Sequence, residues 1–217
     1  MLGQLFNNPL VFVFTLIALV IAIAIHEFAH AYAADRLGDP TPRLQGRLTL
    51  NPLAHLDPIG SLMLLIAHFG WGKPVVFDPF NLRNPRRDSA IISIAGPASN
   101  FALAIICSVI LHVAQLIPAA PIAQVLILAF LQPVIILNIS LGIFNLVPIH
   151  PLDGFKIVEG ILPPEYAKQW HDLEPYGLIF LLFLAFPILG AVSPISQVIG
   201  PIIDFLLGVL IPSGNLI

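Results

Sequence analysis

From residue 89 to residue 152 the sequence runs 64 positions without one Asp, Glu, Lys or Arg. A helix needs only about 20 residues to cross a hydrocarbon core of roughly 30 Å, so this stretch is too long for one crossing and far too apolar for a solvated surface. Two more uncharged stretches, 1 to 25 and 175 to 203, have the same character. With 58% hydrophobic residues, 10% charged and a mean hydropathy of +0.94, the chain reads as an all-α polytopic membrane protein. The nine Lys and Arg form no basic stripe interleaved with aromatics, which excludes a nucleic-acid partner. The lone cysteine, Cys107, permits no intrachain disulfide and says nothing of the compartment.

Punctuation within the apolar runs predicts the helices. The first spans about 10 to 34, started by Asn7, Asn8 and Pro9 and ended by Asp35, Arg36 and Gly38. No basic residue precedes it and it continues straight into His26 and Glu27, so it reads as a retained helix and not a secretory signal. The long run breaks at "PAAP", 118 to 121, giving a hairpin of about 89 to 117 and 122 to 147. Two more helices are expected at about 176 to 191 and 195 to 212. Five to six spans result, with a short segment, 58 to 70, that suits a re-entrant or interfacial piece. All basic residues fall in loops 36 to 47, 73 to 87 and 156 to 168, and five crossings put these loops on one side. The positive-inside rule then sets the N-terminus out and the C-terminus in.

The same parity brings two polar clusters to one face of the membrane. The first is "HEFAH", His26-Glu27-Phe28-Ala29-His30, in which positions i and i+4 share a helix face, so both imidazoles can reach one metal with Glu27 beside it. At this chain's own content of His and Glu, chance would produce about 0.004 such pentapeptides. The competing reading is a pair of buried side chains tying helices together, but ionisable groups inside a span are costly and usually functional. A catalytic zinc needs at least one more protein ligand. The second cluster, "FNLVPIHPLDGFK", 144 to 156, breaks an apolar helix with Asn145, Pro148 and Pro151, and carries Asp153 as its first carboxylate. An ordinary "DG" turn would look the same.

With these motifs, and with "AGPASN" at 95 to 100, the chain resembles the site-2 protease family of intramembrane zinc metalloproteases. The stretches "GRLTLNPLAHLDPIG" and "GWGKPVVFDP" resemble its compact bacterial and archaeal branch. The resemblance implies a single transmembrane metalloprotease domain over 1 to 217, in the plasma membrane of a prokaryote. It also implies one zinc held by His26, His30 and Asp153, with Glu27 as the base that takes a proton from the attacking water. Asn145 matches the family's motif Asn, where it could bond the substrate or oxyanion, or simply cap a broken helix.

Partners on this reading are a membrane-protein substrate and the lipid bilayer; the oligomeric state stays open. Loops of about 18 and 22 residues are too short for a soluble regulatory domain. "RLQGRLTL", 43 to 50, alternates with the period of a half-buried strand and "KPVVF", 73 to 77, is a second candidate; small β-hairpin elements of this kind could present an edge to an unwound substrate, or lie on the membrane surface. His55 and His150 are expected at the surface or behind the ligands, and Gly96 in helix packing; Asn100 and Asp204 keep open roles. Two rivals remain: a metal-binding transporter, which has no use for Glu27, and a catalytically silent protease-like binding protein, which would commonly have lost a motif residue.

Overall fold

Helix α1, Pro9–Leu37, starts where the side chain of Asn8 accepts the Val11 N–H and Pro9 fixes the first turn. It ends at Gly38, whose φ of 112° lets its N–H turn back onto the carbonyls of Ala34 and Asp35. The computed structural model describes residues 8–60, 72–116, 121–187 and 192–212. Along α1 the buried positions are Ala18, Ala22, Ala24, Ala31 and Ala34, with His26 and His30 among them. Small residues let neighbouring helices approach the backbone closely, as membrane bundles require.

Helix α2, Pro85–Leu116, and helix α3, Pro121–Asn145, pack against α1 and each other. At about 1.5 Å per residue, the 32 residues of α2 exceed a roughly 30 Å hydrocarbon core, so its polar start projects beyond it. Its buried residues, from Ile92 through Gly96, Asn100, Ala104 and Cys107 to Leu111, recur every three or four positions, as one helix face must. That face meets Leu131, Val134, Ile135 and Ile139 of α3 to form the main core. The chain continues through α4 (Asp153–Ile161), which lies along α2, then α5 (Pro164–His171), α6 (Gly177–Ala185) and α7 (Pro194–Leu210). Ser108 donates to the carbonyl of Leu210 at 2.6 Å, tying the end of α7 to α2.

The predicted boundaries of the first three long helices agree with the structure to within a few residues. Among the described residues three helices are long and apolar enough to cross a membrane: Pro9–Leu37, Pro85–Leu116 and Gln124–Asn145. Of the two C-terminal helices, α6 is shorter than expected, with 9 residues, whereas α7, with 17, agrees with the expected bounds to within two residues. The segment 58 to 70 lies, from residue 61 onward, outside the described residues.

The strand expectation for 43 to 50 does not hold. Thr41–Leu44 forms a single helical turn opened by Pro42, and Gly46, at φ 69°, takes the left-handed conformation that ends any extended run. Residues 73 to 77 form no strand among the described residues, where the one bridge is antiparallel between Leu56 and Gly72.

Two buried charges fold these loops. Arg47, placed on a polar strand face by the alternation, is instead 4% exposed and donates to the carbonyls of Ala54, Lys73 and Pro74. Asp39, fully buried, accepts from the Thr41 N–H and hydroxyl, the Asp78 N–H and the Asn81 amide, joining the end of α1 to the loop before α2. Burial alone would raise the pKa of Asp39, but the four donors outweigh it and hold the carboxyl below its ordinary value.

A carboxylate with a depressed folded pKa contributes stability that is complete above the unfolded value, about 3.9, and is lost as pH falls through the folded one. Asp39→Asn should therefore cost about 1 to 3 kcal/mol at pH 7 by leaving buried donors unpaired. Its thermal-unfolding deficit against the native chain, measured in detergent, should shrink steadily between pH 4 and the acid limit.

Candidate metal centre

His26 and His30 stand one turn apart on the buried face of α1. Asp153 reaches them from the far side of a broken helix. Pro148 and Pro151, lacking N–H groups, keep 146 to 152 from continuing α3, and that segment folds through bonds from Ile149 N–H to Val147 O and from Leu152 N–H to Ile149 O, both 2.8 Å. Gly154 then lets α4 begin against the end of α3. A Cβ there would meet the carbonyl oxygens of Leu146 and Val147, the latter at 2.5 Å. That approach turns Asp153, the first residue of α4, back toward α1.

The resulting distances are those of a metal site. The Nε2 atoms of His26 and His30 are 2.9 Å apart, and Oδ2 of Asp153 lies 3.1 Å from the first and 3.3 Å from the second. Three ligand atoms at about 2.0 to 2.1 Å from a tetrahedral zinc are separated by about 3.3 Å, so the triangle is slightly tighter than one face of such a polyhedron. Both Nδ1 atoms have oxygen partners: the carbonyl of Ile92 at 2.7 Å for His30, and Oδ1 of Asn100 at 2.6 Å for His26. Each Nδ1 therefore donates, and each Nε2 presents a lone pair toward the other. Protonating both Nε2 atoms would only aim two N–H groups at each other. The buried Oδ2 of Asp153 has no hydrogen-bond partner, and both imidazoles are less than a tenth exposed. Three lone pairs converging in a low-dielectric interior repel unless a metal ion or a shared proton joins them, and two imidazoles with a carboxylate are a donor set that suits zinc. Among the described residues this is the one group of three or more His, Cys, Asp or Glu that could hold a metal ion.

Gly96 of α2 forms the wall beside the rings. A Cβ at this position would lie 2.6 Å from Cε1 of His30 and 2.7 Å from Cε1 of His26, so its role is space for the imidazoles and not only helix packing. Glu27, one residue round the helix from His26, accepts the N–H of Val75 on Oε2 at 2.8 Å. That bond anchors the segment 73 to 78 beside His26 and His30. Lys156 of α4, its ammonium 4.5 Å above the ring of Phe77, holds the same segment from the other side.

Other residues singled out in the sequence have partners of their own. Asn145 closes α3 and commits one amide hydrogen to its own helix, at the Leu141 carbonyl (3.0 Å), as a capping residue does. His55 is completely buried, contrary to a surface role, and bonds the Thr49 carbonyl at 2.7 Å. His150 faces Glu174 at 3.7 Å and stacks edge-on to Phe155. Trp170 stacks on Phe155 and donates to its carbonyl at 3.0 Å, bracing α4. Asp204 is exposed on α7. Sequence reasoning passed over Asn138 of α3, fully buried and 2.7 Å from Asn100. Its signal was available: it is the sole amide in the apolar run from 134 to 144.

Comparison with known proteins agrees with this chemistry. The model of Peptidase family M50 matches residues 109–184. YwhC of Bacillus subtilis is 40% identical over 181 residues, covering 82% of both chains. Rip2 of Mycobacterium tuberculosis is 35% identical over 184 residues, covering 80% of this chain and 67% of its own. MJ0392 of Methanocaldococcus jannaschii is 25% identical over 165 residues, or 76% of this chain and 39% of that protein. All three carry the words zinc metalloprotease in their names. No solved structure matches the chain. The identity to YwhC and Rip2 spans most of this chain and at least two thirds of each relative, so the chain belongs to peptidase family M50 and is a zinc metalloprotease.

Proposed function

We propose that this metalloprotease is an intramembrane endopeptidase that cuts membrane-protein substrates, as in regulated intramembrane proteolysis. Its zinc is held by Nε2 of His26, Nε2 of His30 and Oδ2 of Asp153, and Glu27 is its general base. The observation that carries the reading is the convergence within 3.3 Å of Oδ2 of Asp153 with the Nε2 atoms of His26 and His30, which stand on a helix apolar enough to span a bilayer.

Zinc bound there supplies Lewis-acid polarisation of the peptide carbonyl and of the attacking water. The protein supplies the proton handling. With Oε2 of Glu27 occupied by the Val75 N–H, Oε1 is the oxygen that takes the proton of the water and passes it to the leaving amine. Asn145 keeps one amide hydrogen for a substrate carbonyl. The segment 73 to 77, which joins no sheet among the described residues and lies against Glu27 through Val75, supports a substrate that lies beside it as an unwound strand, exposing carbonyls that a helix would hide. Relatives in bacteria and an archaeon support a prokaryotic plasma membrane as its place; the reading of a multi-pass protein with five crossings and the basic loops inside rests on the uncharged stretches and the distribution of Lys and Arg.

A transporter using the same ligands needs neither Glu27 nor its bond to Val75. Glu27→Gln should leave the zinc content of the purified chain unchanged and lower cleavage of model transmembrane substrates by about 10²-fold or more. Equal cleavage by the native chain and the variant would remove Glu27 as the base. Gly96→Ala, by driving a methyl into both imidazoles, should lose zinc in metal analysis while its helix content by circular dichroism is retained.

A further inference from the structure

Both histidines point Nε2 at the same place, but they are held there by different means. His30 donates from Nδ1 straight to a backbone carbonyl, that of Ile92, which no side-chain substitution removes. His26 depends on side chains. Its Nδ1 faces Oδ1 of Asn100 at 2.6 Å, and a carboxamide can present either its oxygen or its nitrogen.

The surroundings remove that freedom. Nδ2 of Asn100 lies 3.1 Å from the carbonyl of Ala22, one turn before His26 on α1, and a carbonyl can only accept. Turning the amide over would set two oxygens against each other there and an N–H against the N–H of His26. The second amide hydrogen of Asn100 goes to Oδ1 of Asn138 at 2.7 Å. Asn138 is fixed in turn, since its Nδ2 donates to the Val134 carbonyl of its own helix at 2.8 Å. From Val134 to His26 every bond thus has one possible direction, and both asparagines are completely buried.

From this geometry we infer that Asn100 and Asn138 are positioning residues for His26, a two-amide relay from α3 through α2 that fixes the imidazole proton on Nδ1 and turns the Nε2 lone pair toward the metal. The inference rests on His26 being a metal ligand and extends that reading to two residues with no contact to the metal. Partners behind metal-bound histidines typically account for 10- to 100-fold in affinity. A packing role makes the opposite forecast, because Leu is close to Asn in size and suits an apolar interior better than Asp does.

The test is zinc affinity, read by chelator competition on the purified full chain, for the native protein, Asn100→Leu, Asn100→Asp, Asn138→Leu and the double Leu variant. Asn100→Leu should bind zinc 10- to 100-fold more weakly. Asn100→Asp, whose carboxylate offers His26 an oxygen in either orientation, should bind at least about tenfold more tightly than Asn100→Leu. Asn138→Leu should weaken binding about three- to tenfold, and the double variant should match Asn100→Leu, since Asn138 then has nothing to orient. Binding by Asn100→Leu within about twofold of native, Asp at position 100 as weak as Leu, or Leu effects that multiply would each overturn the relay. Should Asn100→Leu fail to fold, native-like affinity of Asn138→Leu overturns it and the expected loss supports it. A native chain that binds no zinc brings down the metal centre itself, a failure separate from the others.

Discussion

Two imidazole nitrogens with lone pairs face each other at 2.9 Å in an apolar bundle, a contact that is repulsive without a cation. Much of the polar architecture within the bundle serves to hold that contact. The alanine face of α1 lets α2 and α3 close around the rings, Gly96 leaves them room, and Ile92 and Asn100 take their outer protons. Gly154 brings the compensating carboxylate across from a different helix. Apart from Ile92, which acts through its backbone carbonyl, each of these residues is small or polar among helices rich in Ile, Leu, Val and Phe, and each departs from that background beside the three converging side chains.

Outside the bundle the same economy appears in the loops. Arg47 and Asp39 are single buried charges that satisfy several backbone groups at once, replacing the regular ladder that a sheet would provide. Their combined effect is to bring residues 73 to 78 to the centre, where Val75 meets Glu27. The carboxylate of Glu27 is thereby oriented by main chain 48 positions away in sequence, and not by its own helix.

The sequence announces the features that depend on short-range pattern. Uncharged length locates α1, α2 and α3; the four-residue spacing of His26 and His30 fixes their shared face; prolines mark the break before Asp153. What it hides depends on direction in space. The alternation at 43 to 50 looks like a strand because polar and apolar residues take turns, yet Gly46 adopts a positive φ and Arg47 turns inward to three carbonyls. Asp153 is legible as a motif, but its approach to α1 depends on a missing Cβ at Gly154 that no periodicity encodes. Asn138 is visible only as one amide in a long apolar run, and its meaning appears once Asn100 is seen beside it.

The bare backbone of Gly96 against the two rings also limits what redesign of this protein can achieve. On that side the chamber is bounded by main chain, and any residue other than glycine intrudes upon it. Efforts to retune the chamber must be directed at the carboxylate side, where Asp153 reaches it as a side chain from the start of α4.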